Sequence, residues 1–306
     1  MWRDRGAEHW VVEVLKEGYS IPLLSRPPLA SKPVFLPAYS SDSIRGVALG
    51  REVQALIEKG AIEPVSPDPG FYSRLFLVPK SSGGWRPVID LSVLNHYIVK
   101  TRFHMETNSS VLRSIRKTDW MVSIDLKDAY LQIPIHPASL KFLRFVANQG
   151  TFQFKVLCFG LTTAPQVFTR VMAAVSSVLH QMGIRILRYL DDWLILASSE
   201  KEACQARDQV LALCTELGIV INYEKSDLVP TQTMTYLGMV IDVRTFSASP
   251  TLRRIEKLYR LIREFLSSEE QPAQVWRVLL GHLASMSHLV PGFAVRAAHS
   301  LTLSTT

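Results

Sequence analysis

From Leu49 to Lys59 the apolar residues Leu49, Val53, Leu56 and Ile57 recur at helical spacing, with Gly60 placed to stop the helix. Ahead of it, Ser20 to Ser43 is rich in proline and serine and carries few helix signals. Residues 1–45 therefore read as an N-terminal extended arm. The pattern then shortens. Ser73-Arg-Leu-Phe-Leu-Val-Pro-Lys80 and Trp85-Arg-Pro-Val-Ile-Asp90 flank Ser81-Ser-Gly-Gly84, which predicts a β-hairpin. Met121-Val-Ser-Ile-Asp125 is a buried-strand pattern that ends on a carboxylate. Pro165 suits a first helical turn, and Phe168, Val171, Met172, Val175 and Leu179 keep helical spacing up to Gly183.

Ile184 to Leu190 and Trp193 to Ala197 are two strand-like runs with Asp191-Asp192 between them. A helix is predicted from about Glu200 to Leu217, with Ala203, Ala206, Val210 and Leu213 on one stripe and Gly218 at its end. Thr235 to Asp242 predicts a further strand pair. Past Pro250, Leu252, Ile255, Leu258, Ile262 and Leu266 form one helical stripe, with Arg253, Lys257 and Arg260 on a different face. Strands and helices mix without βαβ alternation, which predicts an α+β body with a helical C-terminal lobe.

Composition narrows the class. The 306 residues, 47% of them hydrophobic, can bury a large core in one or two domains. A formal charge of +7 points towards a polyanionic partner, although an ordinary solvated surface can carry as much. Cys158, Cys204 and Cys214 make no CxxC pair, which indicates neither a disulfide framework nor a zinc site and fits a reduced intracellular compartment. No apolar run is long enough to span a bilayer, and the charged N-terminus has no apolar segment behind it. No membrane association and no signal peptide are expected.

The chemistry concentrates in two motifs, Ile124-Asp-Leu-Lys-Asp-Ala-Tyr130 and Tyr189-Leu-Asp-Asp192. Adjacent carboxylates at a tight turn repel unless cations neutralise them, and Mg2+ prefers such hard oxygen ligands while keeping room for phosphates and water. Two ions about 4 Å apart can activate an attacking oxygen and stabilise a leaving one. Taken alone, Asp191-Asp192 would be an ordinary hairpin turn. Its apolar flanks, and the order of the motifs around it, favour a metal site completed by Asp125.

Over Leu49 to Asp242 these motifs resemble the reverse transcriptase family, and within it the retrotransposon enzymes of gypsy and DIRS type. The segments Trp10 to Pro22, Gly70 to Lys80 and Leu279 to Pro291 look DIRS-like. The resemblance implies a right-hand polymerase with an antiparallel palm sheet packed on helices. Fingers would span 46–100 and 133–163, palm 101–132 and 164–247, and a partial thumb 248–306. It implies Asp125, Asp191 and Asp192 as ligands of two Mg2+ ions, with Mn2+ as a substitute, and Asp125 and Asp191 as the bridging pair.

By the same resemblance Lys80 and Arg86 clamp the incoming triphosphate, as a point charge and a bidentate fork. Tyr130 lies under the sugar and excludes ribonucleotides; Phe159 and Gly160 shape the nucleotide pocket, with Phe159 standing where many retroviral relatives have Gln. Lys225 protonates the leaving pyrophosphate. Tyr189 and the turn Tyr236-Leu237-Gly238 contact primer and template, and the basic helix from Leu252 lies on the duplex. Asp90 and Asn95 take structural roles.

The implied activity is RNA-directed DNA synthesis from dNTPs on a primed RNA or DNA template, within a retrotransposon polyprotein. A non-catalytic nucleic-acid-binding relic is the alternative of a different class, and a two-metal nuclease a third. After Asp242 there is no aspartate, and only Glu256, Glu264, Glu269 and Glu270 remain. No ribonuclease H activity is expected from so few acids, so that domain of the polyprotein would lie elsewhere.

Overall fold

The predicted helix at Leu49 exists because Leu49, Val53 and Leu56 all reach the core from one side of it. Ser43 caps its start, Oγ accepting from Gly46 N at 3.0 Å, and Gly60 beyond its end has φ +67°. The computed structural model describes residues 2–33, 37–66, 68–80, 83–101, 103, 105–267, 270–287 and 289. In chain order the helices are α1 (His9–Glu17), α2 (Ile44–Glu58), α3 (Asn108–Ser114), α4 (Pro137–Leu140), α5 (Ala164–Gln181), α6 (Glu200–Leu217), α7 (Leu252–Leu266) and α8 (Ala273–Met286). The strands are β1 (Ile62–Pro64), β2 (Tyr72–Ser73), β3 (Leu75–Pro79), β4 (Trp85–Ile89), β5 (Trp120–Asp125), β6 (Arg144–Ala147) and β7 (Gly150–Phe154). They continue with β8 (Arg185–Tyr189), β9 (Asp192–Ala197), β10 (Asp227–Thr231), β11 (Thr233–Tyr236), β12 (Met239–Asp242) and β13 (Ser247–Pro250).

The chain forms two compact units. The first comprises Met1–His104, Leu126–Met182 and Cys214–Val220; the second comprises Met105–Asp125, Gly183–Leu213 and Ile221–Thr306. This differs from the expected boundaries, because 126–132 and α5 fall in the first unit with the β3–β4 hairpin. The physical reason is aromatic packing. Tyr130, on a 3₁₀ turn at Ala129–Gln132, lies between Phe159 and Phe168 of that unit.

In the first unit one sheet runs β1-β7-β6-β2, and the β3–β4 hairpin forms a second, two-stranded sheet. The expected extended arm is a correction: α1 interrupts it. Val11 and Val14, three residues apart, are buried, and the Arg170 guanidinium lies 4.0 Å from the Trp10 ring centroid. Beyond α1 the chain is extended and tied down by backbone bonds, Tyr19 N to Pro134 O and Leu24 N to Tyr97 O at 2.8 Å each. Ala30 and Gly70 exchange a pair at 2.9 and 3.0 Å.

In the second unit the sheet β10-β5-β9-β8 is antiparallel throughout. Antiparallel register partners share a face. Met121 with Leu196, Ser123 with Leu194 and Asp125 with Asp192 therefore lie on one side, joined by Leu187 and Tyr189 of β8. Met121, Leu194 and Leu196 there pack with Val111 of α3 and with Met234, Tyr236, Met239 and Ile241 of the sheet β11-β12-β13. That face is thus covered by α3 together with a second small sheet. Val122, Ile124, Trp193 and Ile195 are buried on the opposite side.

The predicted C-terminal lobe is α7 and α8; Glu269 and everything from Val290 onwards lie outside the described residues, as do Ser81 and Ser82 of the hairpin turn. Among the described residues no helix is long and apolar enough to cross a membrane.

Candidate active site

One row of the second unit's sheet carries the candidate chemistry. Asp192 opens β9 and is the register partner of both Asp125, the last residue of β5, and Tyr189, the last residue of β8. The apolar face described above ends at this row. Leu190 and Asp191 form the two-residue turn between β8 and β9; Leu190 is held at φ +55°, a conformation a branched side chain adopts only when its surroundings enforce it. Trp193, fully buried, donates from Nε1 to Leu190 O at 3.2 Å and supplies part of that restraint.

The backbone of Asp125 is clamped on both sides. Its amide donates to Ser226 Oγ at 3.0 Å, and its carbonyl accepts from Asn222 N at 2.8 Å. Ser226 Oγ in turn donates to Asn222 O at 2.7 Å. Lys225 sits inside this turn. Ser226 escaped sequence reasoning, since a serine next to a lysine carries no signal until the turn is folded onto β5.

Electrostatics agree with a cation site. Burial pushes the Asp192 carboxyl up to about 6, and the charges of Asp191 and Asp125 push it the same way, while Lys225 opposes them. The charges of Asp191 and Asp125 thus both act on Asp192. Tyr236 donates its hydroxyl to Asp192 O at 2.8 Å; burial first, and the nearby acids next, hold that phenol protonated well above its usual range. Arg188 is pushed down by burial and held up by Glu106.

Among the described residues no group of three or more His, Cys, Asp and Glu side chains forms a ready metal cage.

The turn between β11 and β12 is Leu237-Gly238, with φ +47° and +74°, both residues in the left-handed region as a two-residue hairpin of this hand requires. Tyr189, Asp125, Asp191, Asp192, Lys225, Tyr236, Leu237 and Gly238 thus all belong to the second unit.

Lys80, Arg86, Tyr130, Phe159 and Gly160 belong to the first. Lys80 closes the hairpin loop, its amide donating to Gly84 O at 3.0 Å. The Arg86 guanidinium lies 4.9 Å from the Phe159 centroid, Phe159 is 5.0 Å from Tyr130, and Tyr130 is 5.6 Å from Phe168. This column runs from the buried Phe168 to the exposed Arg86, with Tyr130 buried inside it. Gly160 has φ +108°, and a Cβ there would sit 2.3 Å from Ile89 O. Asn95 holds the same loop, Nδ2 donating to Gly160 O at 2.8 Å and Oδ1 accepting from Thr162 N at 2.9 Å. Asp90 accepts from Ser92 and orders the next turn, so both residues expected to be structural are so used. A groove of about 530 Å³ along α2, lined by Arg51, Gln54, Glu58 and Gln149, contains none of these candidates.

Comparison with known proteins identifies the family. The family described as Reverse transcriptase (RNA-dependent DNA polymerase) matches residues 78–241. The retrovirus-related Pol polyprotein from transposon 412 of Drosophila melanogaster is 27% identical over 213 residues, which is 68% of this chain and 17% of that protein. The corresponding polyprotein from transposon gypsy of the same organism is 27% identical over 219 residues, 69% of this chain and 20% of that protein. Among solved structures, the foamy viral protease-reverse transcriptase in complex with an RNA/DNA hybrid superposes with a TM-score of 0.69 at 19% identity, covering 93% of this chain and 37% of that one. The chain thus spans about a fifth or less of these curated relatives.

Proposed function

Because the chain belongs to the reverse transcriptase (RNA-dependent DNA polymerase) family, we propose that it catalyses template-directed DNA synthesis from dNTPs on a primed RNA or DNA template. It would do so inside the cell, as one segment of a longer retroelement polyprotein of the kind its relatives represent. The observation that carries the reading is the pairing of Asp125 with Asp192 across β5 and β9, with Asp191 in the adjoining turn.

Asp125, Asp191 and Asp192 would hold two Mg2+ ions, with Mn2+ able to substitute; when bound these would polarise the reacting phosphate and lower the charge on the attacking and leaving oxygens. The residues fit that group, since they offer hard oxygen donors whose mutual repulsion a bound cation would relieve at neutral pH. The protein's own work is positioning and charge stabilisation. Tyr189 and the Leu237-Gly238 turn would orient the primer, whose 3′-hydroxyl attacks the α-phosphorus in line. Lys225, whose charge already acts on Asp192, would give a proton to the departing pyrophosphate. Lys80 and Arg86 would grip the triphosphate, and the Tyr130–Phe159 pair would form the floor that a 2′-hydroxyl meets.

Primer extension on poly(rA)/oligo(dT) with Mg2+ tests this. Incorporation by the wild type and its loss in Asp191→Asn are expected. No incorporation by a well-folded wild type, or an unchanged rate in Asp191→Asn, would refute it.

A further inference from the structure

The outer side of the Leu237-Gly238 turn is gripped by one side chain. Arg254, in the first turn of α7, directs Nη1 to Leu237 O and Gly238 O at 3.4 Å each and Nη2 to Ser285 Oγ of α8 at 2.8 Å. Ser285 Oγ passes a further bond to His282 O at 2.8 Å, so it is itself fixed. The contact depends on shape as well as charge. A Cβ on Gly238 would lie 2.7 Å from Arg254 Cδ, so the absence of a side chain there lets the arginine stem lie against the turn. Thr251 N donates to Gly238 O at 3.2 Å and brings the start of α7 to the same place.

On its inner side the turn begins at Tyr236, whose hydroxyl reaches Asp192 O. A short series of contacts therefore runs from α8 through Arg254 to the turn and on to the strand that carries Asp192. A guanidinium suits the hub position, because its donors diverge in one rigid plane and can serve two carbonyls and a hydroxyl together. An ammonium on a flexible stem cannot hold that geometry.

We propose that Arg254 is a positioning residue for the primer terminus: it sets the Leu237-Gly238 turn, and with it the placement of the primer 3′ end relative to Asp192. The proposal rests on the polymerase reading above. It assigns to Arg254 a role distinct from the duplex-backbone contact expected of other basic residues of α7 such as Arg253 and Lys257.

The test uses the full chain with a primed duplex carrying 2-aminopurine at the primer 3′ end. In Arg254→Met, kcat for incorporation is expected to fall about tenfold or more, while the duplex Kd by fluorescence anisotropy changes less than about twofold. The terminal 2-aminopurine should brighten as the base loses its fixed stacking, and a control 2-aminopurine ten base pairs upstream should not. Arg254→Lys should likewise keep the Kd within about twofold of wild type and should not restore kcat. Gly238→Ala disturbs the same contact from the other partner and should reproduce the kcat defect, which covers the case of Arg254→Met failing to fold. Wild-type kcat and terminal fluorescence in a folded Arg254→Met, or a kcat loss matched by an equal loss of duplex affinity, overturns the proposal. If the wild type extends no primer, the polymerase reading fails, and the terminal-to-upstream fluorescence contrast still decides the placement.

Discussion

Asp125 and Asp192 are direct register partners on neighbouring antiparallel strands, so both side chains leave the same face of the sheet at the row where its apolar cover stops. Opposed like charges destabilise a strand pair. Here the pair persists because most of β5 and β9 is buried, Met121, Val122, Ile124, Trp193, Leu194 and Ile195 all being at most 1% exposed. The core thus holds two carboxylates at a separation they would not choose, and that tension has measurable consequences.

The first concerns stability. The fold raises the Asp192 carboxyl from its usual 3.8 to about 6, so the folded state prefers it protonated. Its favourable contribution is complete below about pH 4 and is lost as pH rises through 6. Asp192→Asn removes that loss. In chelator at pH 8 the variant should melt a few degrees above wild type, on the order of 1 kcal/mol after allowing for solvent screening at a half-buried group. At pH 4 the two curves should coincide. Equal melting temperatures at pH 8 would show that the charge is already relieved, and the same variant should lose at least about 100-fold in primer extension.

Tyr130 predicts a change in sugar selectivity. Its ring is fixed between Phe159 and Phe168, so a smaller side chain opens space without moving its neighbours far. Tyr130→Val should lower the preference for dNTP over rNTP by about tenfold or more, measured as a ratio of kcat/KM in single-nucleotide incorporation. It should also cost about 1–3 kcal/mol of stability, since a buried aromatic is lost. An unchanged ratio would mean that the 2′-hydroxyl does not approach this ring.

Gly160→Ala tests the loop ahead of α5. The added methyl would meet Ile89 O at 2.3 Å, from a backbone already at φ +108°, and neither can yield cheaply. A loss of about 2 kcal/mol or more in denaturant unfolding is expected. Gly183→Ala makes a useful contrast. Its φ is +81° but its Cβ would meet nothing within 4 Å, so only the conformational part of the cost should appear.

The N-terminal segment should prove part of the first unit rather than an appendage. Val11, Val14, Tyr19 and Ile21 are all buried, and the extended chain after them pairs with Pro134, Tyr97 and Gly70. Deleting residues 1–33 should cost several kcal/mol, about 1.5–3 for each large side chain withdrawn from the core. A truncated chain that melts within about 2 °C of full length would contradict this.

Much of this architecture was readable from residue order, and what escaped shares a cause. α2, α5, α6, the β3–β4 hairpin and the β8–β9 pair rest on long or strongly patterned runs whose period survives any tertiary setting. α1 was missed because only two of its nine residues are buried, too few to mark a face. β6, β7, β10 and β13 are four or five residues long, and β13 only alternates exposed with half-buried positions, so their pairing is decided by partners distant in sequence. The three aspartates were legible as motifs. That two of them share a cross-strand row, that Ser226 clamps one, and that Arg254 grips the turn beyond another all depend on contacts between distant segments, which periodicity does not encode.

The division of the chain into interleaved units bears on how it is made. The backbone passes from one unit to the other after residues 104, 125, 182, 213 and 220, and the crossing at 125 falls between Asp125 and Tyr130 of a single motif. A growing chain cannot finish one unit before starting the other. Strand β5 emerges about seventy residues before its partner β9, a number that follows from their positions at 120 and 192. At the 5–20 residues per second of synthesis, its Met121-Val-Ser-Ile124 edge would wait several seconds unpaired. An exposed apolar strand edge of this kind is a template for aggregation. Ribosome-associated chaperones should therefore engage this chain between the synthesis of β5 and that of β9, and disengage once β9 has paired.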